Sequence, residues 1–208
     1  MFWRDIGGTV VGWGFGVLVA VAIAVPLGLA IGSSKIVWRA TRVVVEVLRP
    51  LPAIAILPLL LLQMGLGLQL KIVVVAIGAF WPLLIQTIYG VHDVEPIAWD
   101  MARAYRLGYL ERFRSIVLPT ALPYIGTGLR ISAVIGLNIC IAEELLVGGS
   151  SRGLGTAIAF MENAARFDQM YVFVVASGLI GVLINIGFRR LERRLLFWHP
   201  SERFEART

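Results

Sequence analysis

Long apolar runs alternate with arginine-bearing segments along this chain, and that alternation limits its fold more than any other feature. The runs fall at about residues 9–31, 53–70, 72–91, 121–147 and 170–188. Each approaches or exceeds the roughly 20 residues that a helix needs to cross a hydrocarbon core. In hydrocarbon every backbone polar group must be satisfied internally, so such runs are helical. Charged residues supply only 15% of the 208 positions and hydrophobic ones 58%, against roughly 25% charge in soluble domains. The expectation is an all-α integral membrane protein with about five transmembrane helices in one domain, residues 1–208. The first run is too long for the apolar core of a signal peptide, and no small-residue cleavage site followed by polar sequence succeeds it. Cys140 is the single cysteine, which excludes an intrachain disulfide.

Basic residues set the orientation. Lys35, Arg39, Arg42 and Arg49 fall between the first two runs, and Arg103, Arg106, Arg112 and Arg114 between the third and fourth. Arg189, Arg190, Arg193, Arg194, Arg203 and Arg207 follow the last run, making a basic tail over 189–208. The opposite side receives Arg4, Lys71, Arg152 and Arg166, with Arg130 inside a span. The positive-inside bias therefore predicts a cytoplasmic C-terminus and an N-terminus outside. It also accounts for the net charge of +6 through charges beside anionic lipid, which argues against a nucleic-acid partner.

Proline and glycine punctuate the spans. Pro50, Pro52 and Pro58 predict a kinked or partly unwound second span, and Gly65 with Gly67 a turn before the third. Gly8, Gly12 and Gly16, like Gly28 and Gly32, recur every fourth residue, a spacing that lets helices approach closely.

The segment 93–119 differs in character. Pro96 suits the first turn of a helix, with Glu95 or Asp93 as its cap. Val94, Ile97, Met101 and Tyr105 then form an apolar stripe, off which lie Asp100, Arg103 and Arg106. Gly108 permits a sharp reversal. Leu110, Phe113 and Val117 mark a second short helix, and Pro119 and Pro123 bracket the re-entry into the membrane. A helix–turn–helix of this kind either lies on the lipid surface or docks onto a soluble partner.

Asp100, Met101 and Ala102, followed by Ile116, Leu118 and Pro119, resemble the EAA signature of ATP-binding-cassette importer permeases. That signature reads Glu-Ala-Ala, then a glycine, then Ile-x-Leu-Pro. Asp100 stands for the glutamate, and Arg106 occupies the glycine position. VPLGLAIGSS at 25–34, LRPLPAIAILPLLLLQMGLG at 48–67, GLRISAVIGLNICIAEELL at 128–146 and RRLERRLLFW at 189–198 extend the resemblance over nearly the whole chain. Their order is most similar to the sulfonate, taurine and nitrate branch, which usually carries a further N-terminal span. The resemblance implies a type I, MetI-like permease fold in a plasma (inner) membrane. It implies two separate ATPase subunits that hold ATP and Mg, a second permease subunit forming a homodimer, and an extracytoplasmic solute-binding protein. It makes 93–119 the coupling segment, with Asp100, Ala102, Arg103, Tyr105, Arg106, Leu107, Gly108, Leu118 and Pro119 facing the ATPase. A small anion such as a sulfonate or nitrate is the implied solute. The alternative is a membrane-anchored scaffold that conducts nothing.

The chain itself carries no G-x-x-x-x-G-K-[ST] loop: its two lysines are Lys35 and Lys71, and neither follows a glycine. ATP hydrolysis by that route is excluded. His92 and His199 are the only histidines, and no metal site or cofactor is expected on this chain. Ionisable and amide side chains inside spans usually face protein or a water-filled path, which makes Gln86, Arg130, Asn138, Glu143 and Glu144 candidates for the translocation path. Arg130 equally suits snorkelling or an interhelical bond. Asn138, the deepest, suits the path or a neighbouring helix, and Glu143 and Glu144 suit exposure or binding-protein contact at the outer end. In the loop 148–169, Ala157, Phe160, Met161 and Ala164 are spaced for a short helix across the pore mouth or at the interface.

Overall fold

A computed structural model of the chain describes residues 2–148 and 152–195. Trp198, His199, Arg203 and Arg207 of the basic tail, and residues 149–151 of the glycine-rich loop, lie outside the described residues. The described chain is helical throughout. Helix α1 runs Phe2–Gly32, α2 Lys35–Leu48, α3 Leu57–Met64, α4 Leu68–His92 and α5 Pro96–Ala104. Helix α6 is Tyr109–Arg112, α7 Leu118–Val147, α8 Leu154–Asn163 and α9 Phe167–Leu195.

Four described stretches are long and apolar enough to cross a membrane: α1, α4, the continuous run Tyr109–Val147, and α9. The second expected span, 53–70, is corrected. Ala53–Ile56 is a 3₁₀ turn, α3 ends at Met64, and Leu68 already belongs to α4. Only together with α2 is this stretch long enough, and the two halves meet at a bend of 77°. Pro50 and Pro52 sit at the break, while Pro58 occupies the first turn of α3, where its missing N–H is harmless. Helix α2 was not expected. Ser34 caps it by accepting from the Val37 N–H at 3.4 Å, and Arg39 and Arg42 alternate with Val43, Val44 and Val47, which leave their side chains exposed. Gly65 (φ 68°) and Gly67 (φ 151°) make the predicted turn with backbone angles that L side chains rarely adopt.

Helix α4 is the centre of the bundle, with α1 against one face and α7 against another; Val74, Val75, Ala79, Leu83, Leu84 and Ile88 are all fully enclosed. Lipid tails are as apolar as leucine, so this association depends on close packing and interhelical polar contacts. The glycine spacing of α1 supplies the first: Gly16 lies against Val75, Gly28 against Thr87 and Gly32 against Val91, each too close to admit a Cβ without displacement. Helix α9 is the least embedded span and turns Val172, Val175, Leu179, Val182 and Leu183 outward.

The fourth span starts earlier than the expected 121. The second short helix of the coupling segment is not separate from it: Tyr109–Val147 is one run of 39 residues. At 1.5 Å per residue it is about 58 Å long, roughly twice the ~30 Å hydrocarbon core, so one end projects. Phe113–Val117 widens into a π turn, with the Leu118 N–H bonded to Phe113 O. Pro119 cannot donate to the carbonyl four residues before it, and a wide turn just upstream absorbs that defect.

Candidate functional site

The end of the bundle carrying α8 holds a buried polar cluster. Glu144 on α7 and Lys71 on α4 form an ion pair at 2.7 Å with side-chain exposures of 0% and 1%. Thr9 on α1 reaches both Glu144 oxygens at 2.9 Å and accepts from the Leu154 N–H at 2.8 Å. The Gly155 N–H donates to Glu144 Oε2 at 2.9 Å, and Lys71 donates to Arg152 O at 3.3 Å. Four helices and the loop before α8 thus converge on one carboxylate. Burying two charges is unfavourable unless their remaining hydrogen-bonding capacity is met; here it is met by a hydroxyl, a backbone amide and a carbonyl. Glycines make the space: Gly8 lies against the Arg152 backbone, Gly12 against the Lys71 stem, Gly153 against the Glu144 carboxylate and Gly155 against the α7 backbone. The structure corrects one expectation here: Glu143 (2% exposed) and Glu144 (1%), expected to suit exposure at the outer end, are enclosed.

A cavity of about 450 Å³ lies between α4, α7 and the 3₁₀ turn. Ile131, Ile135 and Ile139 of α7 form its apolar wall, while Gln86, Tyr89 and Arg49 contribute its polar groups. Gln86 is the one candidate path residue placed on it. Asn138 is exposed at the protomer surface; at 100° per residue it falls within about 20° of Ile131 on the α7 helix, along the cavity face. Glu144 falls on the opposite side of α7 from that face, while Glu143 lies one turn beyond Ile139 at its edge, outside the cavity lining. Arg130 pairs with Glu192 of α9 at 3.4 Å, the interhelical use. In the sequence Arg49 reads as one more topogenic charge, and only the bend before Ala53 brings it to the cavity.

At the opposite end, α5 begins at Pro96 as expected. Glu95 stands at the cap position without a side-chain hydrogen bond, while Asp93 stands at the C-terminal cap of α4. The expected apolar stripe splits in two. Val94 is buried against Val91, Val117 and Ala121, with Ala98 and Trp99 packed on the same cluster. Ile97 (69% exposed), Met101 (55%) and Tyr105 (74%) face outward, joined by Tyr109 and Leu110. The reversal is also relocated. Gly108 has an ordinary extended backbone (φ −66°, ψ 164°), and Arg106 carries the left-handed turn at φ 51°. The backbone therefore makes its left-handed turn at the position where the resembled signature has glycine. Gly108 instead donates its N–H to Glu111 Oε2 at 3.0 Å. Of the candidate coupling residues, Asp100, Arg103, Tyr105, Arg106 and Gly108 are exposed, Ala102 is buried, and Leu107, Leu118 and Pro119 are half-buried. Asp100 and Arg103 approach at 3.7 Å, a solvated pair of small energetic weight. Helix α8 forms where the loop spacing predicts a helix, and it packs Leu154 and Ile158 against Phe173 and Ala176 of α9.

Comparison with known proteins agrees with this geometry. Residues 14–197 match the family described as binding-protein-dependent transport system inner membrane component. The chain is 32% identical over 190 residues to the nitrate import permease protein NrtB of Leptolyngbya laminosa, covering 90% of this chain and 67% of that protein. It is 29% identical over 197 residues to the taurine transport system permease protein TauC of Escherichia coli, covering 95% and 71%. Among solved structures, the MetNI methionine ABC transporter in an inward-facing conformation superposes with a TM-score of 0.79 at 20% identity, covering 93% of this chain and 95% of that one. An amino acid ABC transporter with histidines gives 0.76 at 17% identity, covering 93% of each. The fold is that of type I importer permeases, and the chain belongs to the family of binding-protein-dependent transport system inner membrane components, as an ABC importer permease subunit.

Proposed function

We propose that this permease forms the path for a small anion and is driven by two separate ATPase subunits that bind the exposed face of α5 and α6. The observation that carries the reading is the outward stripe of Ile97, Met101, Tyr105, Tyr109 and Leu110. It lies on a segment projecting beyond the spans, where neither the bundle core nor hydrocarbon accounts for it. ATP and Mg belong to the ATPases, and this chain supplies the docking face. Arg49, Gln86 and Tyr89 around the α4–α7 cavity offer a cation and hydrogen-bonding groups to an anion; the names of the nitrate and taurine relatives favour the same class. Exposed Asn138 beside that cavity is costly against lipid, which favours a second copy covering this face in a homodimer. A solute-binding protein then delivers the anion at the α8 end, with the N-terminus outside and the C-terminus cytoplasmic, as the arginine distribution favours.

The test is co-purification of the ATPase subunits with tagged wild-type and Tyr105→Asp permease, alongside anion uptake in proteoliposomes. Loss of the ATPases from a stably folded variant supports docking on this face. Unchanged recovery refutes it. Arg49→Ala should abolish anion uptake while the ATPases remain bound, and normal uptake in that variant would remove the cavity from the path.

A further inference from the structure

A second cavity, of about 220 Å³, lies where the ends of α1 and α4 meet the α5–α6 segment. Val91, Phe113 and Val117 give it an apolar floor, and Lys35, His92 and Arg112 give it a basic rim. No carboxylate is among its lining residues. Arg112 is held by its Nε, which donates to Leu107 O at 2.7 Å, leaving the two terminal amino groups of the guanidinium for a ligand. The His92 ring is braced edge-on by Trp38 with centroids 5.4 Å apart. Lys35 makes no ion pair among the described residues.

Position completes the argument. Gly32 ends α1, His92 ends α4, and both line the cavity, so it sits at the level where two spans leave the hydrocarbon. We infer that this cavity binds the headgroup phosphate of an anionic phospholipid from the leaflet on the α5–α6 side. Lys35 and Arg112 take the phosphate, His92 adds a donor, and the glycerol end of the lipid lies on Val91, Phe113 and Val117. A free inorganic anion gains nothing from that apolar floor, and a zwitterionic headgroup brings its own cation against the basic rim. The bound lipid joins Lys35 of α2 and His92 of α4 to Trp99 of α5 and to Tyr109 and Arg112 at α6. It therefore ties the segment proposed to dock the ATPases to the ends of the spans.

The experiment titrates full-length permease in a non-ionic detergent with short-chain phosphatidylglycerol, phosphatidylcholine and inorganic phosphate, with binding read by native mass spectrometry. Phosphatidylglycerol should bind at least about fivefold more tightly than phosphatidylcholine. Lys35→Gln and Arg112→Gln should each weaken it about fivefold, the worth of one basic group at an anionic surface. Arg39→Gln, on α2 but off the cavity, should leave it unchanged. Equal losses for Arg39→Gln and Lys35→Gln reduce the effect to a diffuse basic belt and overturn the site. Inorganic phosphate binding as tightly as phosphatidylglycerol overturns the lipid assignment. Because Arg112 also braces Leu107, Lys35→Gln and His92→Gln decide the matter if Arg112→Gln unfolds. None of these readouts needs an ATPase, so failure here is separate from failure of the docking proposal.

Discussion

The α8 end and the α5–α6 end of this permease solve opposite problems with the same residue types. At the α8 end, Lys71, Glu144 and Thr9 are buried and bonded to one another and to backbone amides. At the α5–α6 end, Asp100 and Arg103 stand in solvent at 3.7 Å, while Ile97, Met101 and Tyr105 are left without cover. A charge in the first setting fixes the positions of four helices, because moving any one of them strands an ion or a donor in a dry interior. A charge in the second is screened and nearly free to move. The lesson is that fixed geometry at one end coexists with an unsatisfied apolar surface at the other. That is the arrangement expected of a body that must stay assembled while one end engages a partner.

The hardest way to break this contrast is to remove one member of the buried pair. Glu144→Ala should destabilise the protein by about 3–5 kcal/mol, because the Lys71 ammonium and the Gly155 N–H lose their partner together. The paired replacement Lys71→Met with Glu144→Leu should recover most of that loss. Thermal unfolding in detergent decides it: a wild-type midpoint for Glu144→Ala would strip the cluster of its structural role. Next in size is Gly12→Val, which drives a branched side chain into the Lys71 stem; about 1–3 kcal/mol of overpacking is expected in the same assay. At the other end, Ile97→Asp should change stability by less than about 0.5 kcal/mol while lowering ATPase recovery severalfold. A large loss of stability instead would mean that the bundle itself uses this face. The smallest effect sharpens the comparison. Arg106→Gly removes the left-handed penalty of roughly 1–2 kcal/mol but adds roughly 0.5–1 kcal/mol of unfolded-chain entropy. A net stabilisation of about 0.5 kcal/mol is expected, and a lower midpoint would show that the arginine side chain holds the turn by contacts of its own.

Much of the helical architecture was legible because its signals are local. Pro96 starts α5, Gly65 and Gly67 turn the chain into α4, and the runs at 72–91 and 170–188 mark helices that the structure merely lengthens. The reversal at Arg106 was misassigned to Gly108 because glycine is the usual residue for a left-handed turn, and an arginine gives no such signal. The second span was misjudged for a related reason: apolar composition continues through 53–70, while Pro50, Pro52 and the glycines divide it into pieces too short to cross alone. Helix α2 is not expected from the sequence because its arginines read as topogenic charges between two apolar runs and it is too short to cross alone.

The buried cluster was out of reach in a different sense. Thr9 and Glu144 are 135 positions apart, and no spacing rule connects them. Glu144 beside Glu143 near a span end reads as solvated until Lys71 and the glycine-lined contact with α8 enclose it.

By itself the sequence determined that this chain is a bundle of membrane helices, because hydrophobic run length is a property of each segment and needs no partner. It also determined where α5 starts and where the chain turns into α4, at Pro96 and at Gly65 with Gly67, because prolines and glycines act on their own neighbourhoods. Only the tertiary structure decided which polar residues are buried and paired and which are left exposed. Burial and pairing belong to two segments at once: Glu144 is silent because Lys71 and Thr9 reach it, and Tyr105 is exposed because no other segment does.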